Sequence, residues 1–445
     1  WSSDVCSSDL VAITIAEPRE QRMLHNIERL TKQKISFDKV PSVDALRARQ
    51  MELTTETLRE ALATEGLDHF ASVLSELGVS PSSQMLVFSK TSLQRERIMP
   101  RTPRSLYFND EVYVGFCQQG DVVEISAVDP QLGAVFYTLD QRETDHPRFT
   151  RQTDNCLICH ASSNTQHVPG HFVRSVFSDA RGFPILSSGT YRIDHTSPID
   201  RRWGGWYVTG SHGSHKHLGN MVTESRIRPE EINNEAGANV TDLSNRLQME
   251  SFLTPHSDLV ALMVLEHQAE GHNLLTRANF LTRQALHFEE SLNRELKEPD
   301  DKRWDSTKAR IRSACDPLLR YLLFHKEAKL AATLKGTSSF AEEFPERGPR
   351  DRHGRSLRDL DLTGRMFKYP CSYLIYSASY QTLPKEAKDY LEARLWEVLI
   401  GSDRSHDFAH LSAADRRAIG EILIDTLPNH PESWRAESLP EPGTF

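Results

Sequence analysis

Residues 155–160 read Asn-Cys-Leu-Ile-Cys-His. Cys156, Cys159 and His160 stand at i, i+3 and i+4, so on a helix opened by Asp154 or Asn155 they share one face. Two thiols placed this way can form thioethers with the two vinyl groups along one porphyrin edge, while the imidazole reaches the iron as proximal ligand. With six Cys and 19 His in 445 residues, chance produces such a run in roughly three chains per thousand, so the match asks for chemistry. Two other chemistries compete. Structural zinc needs four ligands, normally from paired knuckles, and the chain has no second C-x-x-C, so two histidines would have to complete the set. A redox dithiol would favour a helix start after a strand in an α/β unit, a context the flanking sequence does not offer.

A ligand opposite His160 separates an electron carrier from a catalyst, because a firmly held sixth ligand closes the iron to substrate. The run "TGSHGSHKHLGNM" offers His212, His215, His217 and Met221, with Gly210, Gly213 and Gly219 permitting close backbone approach. His217 is the leading candidate for the distal position. The same run also reads as a solvated His-rich loop or a separate metal site. Further along, Val260, Met263, Val264, His267, Gly271 and Leu274 fall on one helical face. That makes Met263 and His267 second candidates, or His267 an ordinary hydrogen-bonded core histidine. Arg174, Arg192, Arg201 and Arg202 could pair with haem propionates or be plain surface charges. No residue is assigned a catalytic role.

The elements that must position these groups define an α+β chain. Residues 11–84 repeat apolar positions at three- and four-residue steps and stop at Gly78. From about Gln84 the period becomes that of strands. "SLYFNDEVYVGF" predicts a hairpin turning at Asn109-Asp110, and "DPQLG" separates two further runs. A β-rich region over 85–225 therefore carries the Cys/His motif. Helices are expected across 226–335, with a long one, or two in series, between Pro255 and Leu296 capped by Ser257, and again over 366–427. Residues 336–365 are polar and Pro/Gly-rich, which predicts a linker or surface loop. The tail 428–445 reads as extended.

The 53 basic and 62 acidic residues leave a net charge of −9, which argues against a nucleic-acid partner. No apolar stretch approaches the ~20 residues needed to span a bilayer. The other three cysteines beyond the start, Cys117, Cys315 and Cys371, lie in apolar settings that suit buried free thiols. The opening "WSSDVCSSDL" resembles the chance translation of a sequencing adapter, so residues 1–10 are expected to be non-native, with the true N-terminus and any export signal missing.

"TDNCLICHASS" resembles the attachment segment of c-type cytochromes. With "YFNDEVYVGF", "RWGGWYVTGSHG" and "MFKYPCSYLIYS", it resembles a group of uncharacterised bacterial single-haem cytochrome-domain proteins across most of residues 85–435. That resemblance implies one covalent haem c on Cys156 and Cys159, His160 as axial ligand, an unidentified redox partner protein, and a periplasmic or otherwise exported location. The chain departs from small cytochromes in placing its motif after a β-meander. Three functions stay open: electron transfer, a peroxidase-like haem-c oxidoreductase with an open distal side, and a non-haem protein with a Cys/His metal site.

Overall fold

Strand-forming, β-branched and aromatic residues between Met85 and Gln152 pair into one antiparallel sheet, as their alternation requires. A computed structural model of the chain describes residues 28–29, 67–141, 148–223 and 232–444. The chain divides into two compact units, Trp1–Leu53 and Thr54–Phe445, and all that follows concerns the second. Of the helical expectation for 11–84, the described part is α1 (Leu67–Glu76), which ends at Gly78 with φ +63°. Residues 77–84 are turn and a short 3-10 helix at Pro81–Ser83, and the rest, residues 28–29 aside, lies outside the described residues.

The strands are β1 (Met85–Val87), β2 (Arg104–Phe108), β3 (Val112–Phe116), β4 (Val122–Asp129), β5 (Gly133–Asp140) and β6 (Phe149–Gln152). They form the expected meander, and a short strand at Trp206–Tyr207 adds to β1 to complete seven. The hairpin between β2 and β3 turns one residue later than predicted, around Asp110-Glu111. The cause is Asn109, whose side-chain oxygen accepts the N–H groups of Glu111 and Val112.

Register gives the sheet two different faces. Val123 and Ile125 of β4 join Tyr107, Val114 and Leu139 under Phe70 and Leu74 of α1; each such fully buried side chain contributes about 1.5–3 kcal/mol. Phe108, Tyr113 and Val128 belong instead to the main core, shared with the C-terminal helices. After β6 comes α2 (Leu157–His160), one turn carrying the Cys/His motif.

The long helix is continuous: α3 spans Leu259–Leu296, 38 residues. Its N-cap is Asp258, not Ser257, because Ser257 is spent elsewhere. The Ser257 hydroxyl donates to the Tyr207 carbonyl and accepts the Leu86 N–H, stitching two strands together. Every residue from Leu259 to Thr276 is buried, including the polar run Glu266-His267-Gln268-Ala269-Glu270-Gly271-His272-Asn273. Those groups are bonded to partners around the helix, as burial demands. For instance, Gln268 donates to the Asn109 carbonyl and accepts from Tyr373, and His272 bonds the Asp110 carbonyl.

The helical expectation for 226–335 holds for α3 and α4 (Asp305–Leu322). The described residues 232–258 form short turns and loops instead. Residues 336–365 are not a linker. They hold α5 (Phe340–Glu346) and bury Phe340, Phe344 and Leu357. Beyond α5 the segment runs on as a loop without helix or strand, and its charges are paired, for example Arg355 with Asp351 and Glu421. Helices α6 (Lys385–Leu399) and α7 (Ala413–Thr426) follow. The tail then packs back, with Trp434 stacked on Trp396 at 5.1 Å between ring centres. Among the described residues, no helix is long and apolar enough to cross a membrane.

Candidate functional site

The strand β6 delivers the chain into the Cys/His turn. Neither Asp154 nor Asn155 caps α2 with a side chain; Cys156 occupies the cap position, and its carbonyl accepts from His160 at 2.9 Å. Ser162 closes the other end by donating to the Cys159 carbonyl at 2.8 Å. Cys156 is half-buried, Cys159 is exposed, and both thiols are free. Burial pushes the Cys156 thiol above its ordinary pKa.

His160 turns inward from this exposed turn. Its ring lies 4.7 Å from Phe136, 5.3 Å from Phe172 and 6.3 Å from His171, centre to centre. Nδ1 is 2.9 Å from the Gly170 carbonyl oxygen. A carbonyl can only accept, so the neutral ring carries its proton on Nδ1 and presents a lone pair at Nε2. No described residue bonds Nε2. The Gly170 N–H returns a bond to the His160 carbonyl at 2.8 Å. Burial holds the His160 pKa below its ordinary value, keeping the ring neutral. A histidine whose second nitrogen donates to a backbone carbonyl is the usual arrangement of a metal-ligating imidazole. Two free thiols one turn apart, followed by such an imidazole, fit a covalently held haem.

Beside this turn, Arg104 of β2 and Glu124 of β4 form an ion pair at 2.5 Å. The guanidinium lies against Gly115 of β3, where a methyl group would overlap it. Both charges act on Cys156 and on His160. The sequence reading missed this pair because Arg104 and Glu124 are twenty residues apart and meet only through strand register. It also missed His171, whose Nε2 bonds Ser126 at 2.7 Å and whose buried Nδ1 has no partner.

The histidines offered for the distal side are engaged elsewhere. His217 is not among the rings that meet His160. Its Nδ1 accepts the Gly219 N–H at 2.9 Å, so its proton sits on Nε2, 3.0 Å from His212 Nε2. His212 Nε2 also accepts from the Asn239 N–H, and His215 Nε2 accepts from those of Ala331 and Ala332. The His-rich loop is thus anchored by imidazoles acting as backbone acceptors, neither a solvated turn nor an open ligand set. His267 bonds His195 through Nδ1 and Ser372 through Nε2, and Met263 is in the main core. Among the described residues no group of three or more His, Cys, Asp or Glu side chains converges as a metal site. A haem iron needs no such group, since it takes at most two protein ligands.

Of the four candidate propionate partners, Arg202 is buried and paired with Glu266 at 2.9 Å, which removes it. Arg174 bonds Thr190, and Arg201 lies over the Tyr191 ring. Arg192 donates to the carbonyl of Asn164, four residues past the motif, at 3.2 Å.

No family model matches the chain, and no solved structure matches it. The chain is 29% identical over 110 residues to an ATP-dependent RNA helicase DeaD from Buchnera aphidicola subsp. Acyrthosiphon pisum (strain APS). That stretch is 22% of this chain and 18% of the helicase, so the chain spans less than a fifth of that relative's length.

Proposed function

We propose that this chain is a c-type cytochrome-like protein that carries one covalently attached haem and serves in electron transfer, outside the cytoplasm. The observation that carries the reading is the His160–Gly170 contact beside two free thiols at the attachment spacing. Cys156 and Cys159 would hold the cofactor, and His160 would offer Nε2 as proximal ligand. When bound, the haem supplies a one-electron couple at its iron. The chain's own residues orient the imidazole, keep it neutral, and wall its inner side with Phe136, Phe172 and His171.

A second reading, an oxidoreductase with an open distal side, is favoured by the engagement of His212, His215, His217 and His267 in other bonds. The helicase similarity brings no activity into the proposal. The chain contains no Gly-Lys pair with which to build a phosphate loop.

The chain produced with haem-attachment machinery is expected to hold pigment through acid–acetone extraction. Cys156→Ser with Cys159→Ser should lose it. Retention of covalent pigment by the double variant, or no pigment in the parent, refutes the proposal. A low-spin spectrum then indicates a carrier, and a high-spin, carbon monoxide-binding one the oxidoreductase.

A further inference from the structure

Gly170, whose carbonyl orients His160, is itself held from the long helix. Asn273 of α3 brackets the next residue completely. Its Oδ1 accepts the His171 N–H at 3.0 Å, and its Nδ2 donates to the His171 carbonyl at 2.7 Å. The same Nδ2 donates to Glu270 Oε2 at 3.0 Å. Glu270 Oε1 in turn accepts from Gln166 Nε2 at 2.7 Å, and Arg192 NH1 stands 3.5 Å from the carboxylate. Asn273 and Glu270 are both buried. Gly170 packs so closely on Asn273 that any side chain there would overlap the amide oxygen. The stretch between these anchors is one that a free chain would not hold, since Gln166 and His167 both have left-handed backbones, φ +58° and +60°.

We infer that Asn273 and Glu270 are positioning residues for the metal ligand: by fixing residues 166–171 they set the tautomer and donor strength of His160, which neither touches. The functional consequence rests on the haem reading above; the geometric claim does not. A firm Nδ1–H···O=C bond raises the basicity of the ligating nitrogen, and a more basic ligand favours the oxidised metal. Loosening Asn273 should therefore weaken that preference. Glu270 acts one step further out, by holding the Asn273 amide in the orientation that matches His171.

Two measurements test this. In the haem-free Cys156→Ser, Cys159→Ser chain, ¹⁵N NMR should show His160 as the Nδ1–H tautomer. Adding Asn273→Ala should move it towards Nε2–H, with Glu270→Gln moving it part of the way. In the pigmented protein, Asn273→Ala should raise the reduced-to-oxidised ratio at fixed ambient potential about tenfold, which is 59 mV for one electron. Asn279→Ala is the control. It removes a buried amide on the same helix that bonds the Pro130 carbonyl, so it costs stability without reaching Gly170 and should move neither readout. If Asn273→Ala does not fold, Glu270→Gln decides, with a shift of about threefold in the same direction. An unchanged tautomer and potential in a folded variant overturn the clamp. Absence of pigment in the parent overturns the haem reading and leaves the NMR arm to judge the clamp.

Discussion

His160 and Gly170 hold each other twice: the imidazole Nδ1 meets the glycine carbonyl at 2.9 Å, and the glycine N–H meets the histidine carbonyl at 2.8 Å. The ring can therefore neither rotate nor exchange tautomer without giving up its bond to the Gly170 carbonyl. Replacing His160 with Ala should leave the thioether-held pigment in place but shift its Soret band, since the proximal ligand is lost. An unchanged absorption spectrum would remove His160 from the iron.

The pairing of His217 with His212 makes a pH prediction. Burial lowers the His217 pKa from 6.5 to about 3. Between those values the unfolded chain takes up a proton that the folded chain refuses, so this group's contribution to stability falls as pH falls from about 6.5 towards 3. His217→Gln removes that uptake. Across pH 6 to 4 the slope of unfolding free energy against pH should lessen by up to one proton, about 1.4 kcal/mol per pH unit, in denaturant titrations at each pH. In the pigmented protein the same change should leave the spin state alone.

Glu327 acts with the opposite sign. Burial raises its carboxyl from 4.5 to about 7, while the Met366 N–H donates to it at 2.8 Å. Between pH 4.5 and 7 the folded chain keeps a proton that the unfolded chain has released, so stability falls as pH rises through that window and is flat above it. Glu327→Gln should be more stable than the parent at pH 8, on the order of 1–2 kcal/mol, and no more stable at pH 4. Equal stability at pH 8 would mean the carboxyl ionises normally.

Asp258 carries four backbone N–H groups at full burial. Oδ1 accepts from Val260 and Ala261 at the start of α3, and Oδ2 accepts from Thr337 and Ser338. Asp258→Ala should destabilise the protein by about 3–4 kcal/mol, combining a lost helix cap with stranded buried donors. Urea unfolding measures it; a loss under 1 kcal/mol would show that water replaces the carboxylate.

The local rules already written in the chain decided much of this protein. Alternation and turn residues defined the meander strands β2 to β5, Gly78 ended α1, and three- and four-residue periodicity placed the long helix and α7. The spacing of Cys156, Cys159 and His160 marked the candidate site, because i, i+3 and i+4 are fixed by helix geometry whatever the surroundings. Tertiary structure decided the partners. Whether a histidine is a ligand or a brace depends on what meets its two nitrogens, and those groups come from distant segments: Gly219 and His212 for His217, Ser372 and His195 for His267. Residues 336–365 looked solvated because their charges find partners only once α7 and the sheet are in place. Asn273 reaches His171 across more than a hundred residues of sequence, and such a bond has no local signature, since hydrogen-bond complementarity is a property of surfaces that only folding brings together.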